Sequence, residues 1–98
     1  MIEQKCNELF TVKYGKDLYT RFNKLNEEYK ELLEAYNNMI TTHAYDSRAK
    51  VLDELSDVTA VICHIANVMG TSLEELLLAA YTKSIVREHN PNYLKDGK

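Results

Sequence analysis

Residues 52–77, "LDELSDVTAVICHIANVMGTSLEELL", hold one helix, its stop and the start of the next. At about 100° per residue, the apolar positions from Leu52 and Leu55 through Val58, Val61, Ile62 and Ile65 to Val68 and Met69 cover an arc of roughly 200°. A surface helix needs only about half of that, so this segment reads as a central helix. Gly70 reads as the residue that ends it in a left-handed conformation. "SLEE", Ser72 to Glu75, is a capping box that opens a further helix to about residue 89. Pro91 prevents continuation, and "NPNYLKDGK" reads as a polar tail.

Two more helices precede this segment. Asp17 can cap one that runs to about residue 40, with Leu18, Phe22, Leu25, Tyr29, Leu32, Leu33, Tyr36, Met39 and Ile40 as its apolar stripe. "TTHAYDS", 41–47, reads as a loop, with Asp46 or Ser47 capping the central helix. Ile2, Cys6, Leu9, Phe10 and Lys13 fall at helical offsets, which predicts a short first helix over 2–13 that stops near Gly15. Three Gly and one Pro in 98 residues favour long helices over a turn-rich β fold. The expectation is therefore an all-α, four-helix bundle-like single domain over 1–98, with its core at about 17–89 and the tail at 90–98.

Composition narrows the function classes. A net charge of −3 gives no bulk attraction to nucleic acid, so no nucleic-acid partner is expected. The longest apolar run falls well short of the ~20 residues that span a bilayer, so no membrane partner is expected. The N-terminus lacks the basic start and apolar core of a signal peptide. Cys6 and Cys63 form no metal-ligand spacing and read as two reduced thiols, which points to the cytoplasm. A domain this small buries a modest fraction of its surface, so oligomerisation would supplement its stability.

The acidic residues carry the chemistry. "NEEYKELLEAY", 26–36, holds Glu27, Glu28, Glu31 and Glu34. On the helical wheel Glu27, Glu31 and Glu34 lie opposite the apolar stripe and Glu28 near its edge, which within this helix alone reads as a solvated acidic face. On the central helix Glu54 is flanked by apolar positions, so its carboxylate must be paired, protonated or bound to metal. Glu54/Asp57 and Glu28/Glu31 are both i,i+3 pairs, each able to reach one point. Facing each other on antiparallel helices, they would form an all-oxygen cage suited to Mg²⁺ or Mn²⁺. Failing that, they are two acidic surfaces that never meet.

"EEYKE", 27–31, followed after 22 residues by "ELSD", 54–57, resembles the EExxE…ExxD signature of the MazG-like all-α NTP pyrophosphohydrolases. The resemblance extends over about 17–89. It implies an all-α enzyme, dimeric or tetrameric, that uses Mg²⁺ to cleave an NTP or dNTP between the α and β phosphates, releasing monophosphate and pyrophosphate. On this sequence it implies Glu28, Glu31, Glu54 and Asp57 as metal ligands, with Glu27 or Glu31 handling the attacking water. Lys83 and Arg87 match the family's K-x-x-x-R element; their i,i+4 spacing suits triphosphate oxygens, though two cations near a helix C-terminus also complement the helix dipole. A close second resemblance is to phosphoribosyl-ATP pyrophosphohydrolase of histidine biosynthesis. There Lys24 precedes Glu27 at the family spacing and His64 falls where the family places a histidine, whereas Asn26 stands where it usually has Gly. Lys24, His64 and Asn67 join Lys83 and Arg87 as candidate substrate contacts; taken by itself, His64 reads first as a hydrogen-bonded core residue and Asn67 as polar filler. The remaining alternative is a non-catalytic helical interaction module with an acidic docking face.

Overall fold

A computed structural model describes residues 2–43 and 45–89. The expected tail at 90–98 lies outside the described residues. The order is α1 (Ile2–Tyr14), α2 (Leu18–Thr42), α3 (Ser47–Val68) and α4 (Leu73–Glu88). There is no strand among the described residues, so the chain is all-α.

Local signals set the helix ends. Asp17 caps α2 by accepting the Thr20 N–H at 3.3 Å and its hydroxyl. The helix runs into the stretch expected as loop and ends at His43, whose φ of 53° turns the chain. Asp46 occupies the N-cap of α3 without a side-chain cap bond. At the other end of α3, Gly70 at φ 86° gives its N–H to Asn67 O (3.0 Å), and Thr71 gives its N–H to Ala66 O (2.9 Å). That is the Schellman pairing, which satisfies two end carbonyls. Ser72 Oγ then accepts the Glu75 N–H at 3.1 Å to start α4. This stop-and-start swings α4 to 96° from α3.

α3 is central, as its wide apolar arc implies: α1, α2 and α4 each pack on it. Its long partner is α2. The inward seam of α2 is Leu18, Arg21, Leu25, Glu28, Leu32, Ala35 and Met39, a 3.5-residue repeat along which Arg21, Glu28 and Ala35 are buried. The seam differs from the expected stripe. Tyr29, Leu33, Tyr36 and Ile40 face away from α3 and stay roughly half exposed. Glu28 sits in the seam itself rather than at its edge.

α1 docks through polar and aromatic groups rather than through Ile2 and Leu9, which are exposed. The Cys63 thiol bonds to Asn7 Oδ1 at 3.6 Å, and Thr11 pairs with His64 Nε2 at 3.1 Å. Glu3 accepts the Leu73 N–H at 2.7 Å, which ties α1 to the start of α4. α4 has no buried residue. The radius of gyration is 16.3 Å, against about 13 Å for a compact chain of this length. The bundle is open. No single described helix is long and apolar enough to cross a membrane.

Candidate metal centre

The α2–α3 pairing brings the acidic pairs together. Oxygens of Glu28, Glu31 and Glu54 lie within 4.8 Å of one another, and so do those of Asp53, Glu54 and Asp57. Glu54 belongs to both triads and joins them. All four expected ligands are therefore in one cluster, and Asp53 adds a fifth carboxylate that the i,i+3 pairing did not select.

Burial divides the five. Glu28 and Glu54 are 7% and 5% exposed, while Glu31, Asp53 and Asp57 are at the surface. Each buried glutamate has one oxygen on a lysine one turn earlier in its own helix: Lys24 Nζ to Glu28 Oε1 at 3.1 Å, and Lys50 Nζ to Glu54 Oε1 at 2.9 Å. The second oxygen of each, Oε2, is buried with no hydrogen-bond partner. A buried carboxylate oxygen without a partner is costly. Two of them, on glutamates of the triads, are what a site for a cation looks like from the protein side, and an all-carboxylate donor set suits a hard divalent ion. These residues fit Mg²⁺ or Mn²⁺.

Like-charge crowding shows in the titration behaviour. Glu31 is held above its ordinary 4.5, first by a hydrogen bond with Glu28, then by the Glu28 charge, by desolvation and by the Glu54 charge. Asp57 is held above its ordinary 3.8 by desolvation, then by Glu28, Asp53 and Glu54, against a smaller opposing pull from Lys50. A bound cation would reverse both trends, because it favours the charged carboxylates.

The other candidates are more scattered. Glu27 is exposed and belongs to neither triad. Lys24 stands at the cluster, on Glu28. His64 is fully buried, with Nε2 on Thr11, its ring edge-on to Phe10 at 5.9 Å and Nδ1 without a partner. Burial, and then the Arg21 charge, hold it below its ordinary 6.5. Asn67 is exposed and lines a groove of about 920 Å³ between α1 and the α3–α4 corner. Lys83 is exposed and Arg87 half-buried on α4. From the helix rise and the 96° turn, Lys83 lies about 25 Å from the carboxylates of its own chain.

Two basic residues emerge only from the structure. Arg21 is 4% exposed, its guanidinium 4.7 Å above the Tyr14 ring and its Nε without a partner. Its signal was its place in the 3.5-residue seam, seven positions before Glu28. Lys50 is the second: the sequence, with no Lys or Arg on α3 beyond it, offers no intrahelical pair after the first turn, yet Lys50 reaches Glu54 from one turn earlier at i,i+4 spacing.

The family model for phosphoribosyl-ATP pyrophosphohydrolase matches residues 1–87. No curated protein and no solved structure matches the chain.

Proposed function

The chain belongs to the phosphoribosyl-ATP pyrophosphohydrolase family, within the MazG-like all-α NTP pyrophosphatase superfamily, and from that premise we propose that it hydrolyses phosphoribosyl-ATP between the α and β phosphates with Mg²⁺. The observation that carries this reading is the junction of two carboxylate triads with two buried, open oxygens. The ion, when bound, neutralises phosphate charge and acidifies a bound water. The protein's part is placement. Glu28, Glu31, Glu54 and Asp57 would hold the cation. Glu31, within 4.8 Å of Glu28 and Glu54 where Glu27 belongs to neither triad, is the better placed of the two to take a proton from the attacking water. Phosphoryl transfer asks little covalent chemistry of the protein, so positioning and charge stabilisation carry the rate.

Hydrolysis of a plain NTP or dNTP is the second reading. Asn26, at a position where the phosphoribosyl-ATP enzymes usually carry Gly, favours it. Both substrates present the same anhydride to the same carboxylates.

The active form is a homodimer or a tetramer. Accessible surface is 7612 Å², against about 5,700 Å² for a monomeric protein of this mass. The excess exceeds the roughly 800 Å² per partner of a standard interface. Much of it is apolar: Tyr29, Leu33, Tyr36 and Ile40 on α2, and Leu77, Leu78 and Tyr81 on α4. In such an assembly the α4 of a second copy would bring Lys83 and Arg87 to these carboxylates. A cytoplasmic location agrees with two free thiols.

Incubation with phosphoribosyl-ATP and a panel of NTPs and dNTPs, with Mg²⁺, tests the proposal. Pyrophosphate and the matching monophosphate should appear, fastest from phosphoribosyl-ATP. A faster plain nucleotide moves the assignment to the second reading. Turnover no higher than that of Glu54→Gln with every substrate refutes both.

A further inference from the structure

The two lysines at the cluster are placed alike. Each lies one turn before a buried glutamate, one on α2 and one on α3, and each takes Oε1 and leaves Oε2 open. Without them, Glu28 and Glu54 would be two buried like charges within 4.8 Å. The lysine side chains remain 46% and 64% exposed. They are thus free to swing into water, whereas the glutamates are fixed by the packing of α2 on α3.

We propose that Lys24 and Lys50 are resident counter-cations of the carboxylate site: they stabilise its metal-free form, and a divalent ion binds against their charge. The proposal rests on the metal-binding reading above. Its sign follows from comparing two effects. A lysine a few ångströms from the cation repels it with full charge in a partly desolvated site. The orientation it gives the carboxylate is largely supplied already by burial of the glutamate stem. Loss of the repulsion therefore outweighs loss of the tether. The lysines set the site's affinity below what five carboxylates would otherwise have, and keep the helices paired when metal is scarce.

The test is a thermal-melt titration of chelator-treated protein with Mg²⁺. Lys50→Met should melt lower than wild type without metal and reach half of its Mg²⁺-induced rise at about tenfold less Mg²⁺. Lys24→Met should behave the same way and serves as the second variant. Lys50→Arg, which keeps the charge, should track wild type in both respects. If both Met variants need as much Mg²⁺ as wild type or more, the lysines are tethers and the proposal is overturned. If wild type shows no Mg²⁺-dependent rise at all, the metal reading falls and takes this inference with it.

Discussion

Glu54→Gln removes one charge from the residue shared by both triads while keeping its shape. In the metal-free protein Glu54 and Glu28 are both at least nine-tenths buried, with oxygens within 4.8 Å. At an effective dielectric of about 20, that pair repels by about 3 kcal/mol. Against it stands the Lys50 bridge, whose lysine is 64% exposed and which is worth at most about 1 kcal/mol. The substitution should therefore stabilise the metal-free protein by about 1–2 kcal/mol, or roughly 5–10 °C in Tm. With Mg²⁺ the order reverses. At a hundred times Kd, wild type gains about 2.7 kcal/mol, roughly 10–20 °C, and the variant, lacking a ligand in both triads, gains less than half of that. Differential scanning fluorimetry with and without Mg²⁺ reads all four values. Equal Mg²⁺ shifts in the two proteins, or a metal-free variant less stable than wild type, would refute this reasoning.

Other consequences are independent of that one. Gly70→Ala forces a Cβ into φ 86° with no neighbour to clash against, so backbone strain alone should cost about 1–2 kcal/mol; a larger loss by chemical denaturation would mean that the turn does more than reverse the chain. His64 is held below 6.5 in the fold, so unfolding takes up a proton between its lowered value and 6.5, and stability from this group falls as pH drops through that window. The loss should vanish in His64→Gln, as read by urea melts at pH 7.5 and 5.5. Glu31 and Asp57 act in the opposite direction. Their raised values make the metal-free fold lose stability as pH rises past 4.5 and 3.8, and make Mg²⁺ bind more weakly as pH falls and they take up protons; isothermal titration at an acidic pH and at neutral pH should show the difference. If α4 forms the interface of the proposed dimer or tetramer, Leu77→Asp with Tyr81→Asp should lower the mass read by light scattering to that of a monomer, and an unchanged mass would exclude α4 from it.

Much of the fold was legible because its signals are local. The Gly70 stop, the Ser72 cap and the Asp17 cap each act within one turn, and each stands where the pattern puts it. The quartet was legible because i,i+3 spacing holds on any helix and two antiparallel helices can align two such pairs. Direction was harder to read. In α2 the apolar stripe includes Tyr29, Leu33, Tyr36 and Ile40, which this chain does not cover; periodicity marks a surface to be buried without saying what buries it. The seam also admits Arg21 and Glu28, charged residues that hydropathy assigns to solvent. α1 reads as an apolar helix but is held by Asn7, Thr11 and Glu3, because single hydrogen bonds to another helix leave no periodic trace. The reach of Lys83 and Arg87 depends on the 96° turn, an angle that no spacing encodes.

On the proposed function, carboxylates from α2 and α3 together grip one cation. Anomalous diffraction from crystals grown with Mn²⁺ should show a manganese peak bonded to the oxygens of Glu28 and Glu54 that have no partner in the metal-free protein, with Glu31 and Asp57 completing the shell. Crystals saturated with Mn²⁺ that show no peak there, with both glutamates still held only by Lys24 and Lys50, would contradict it.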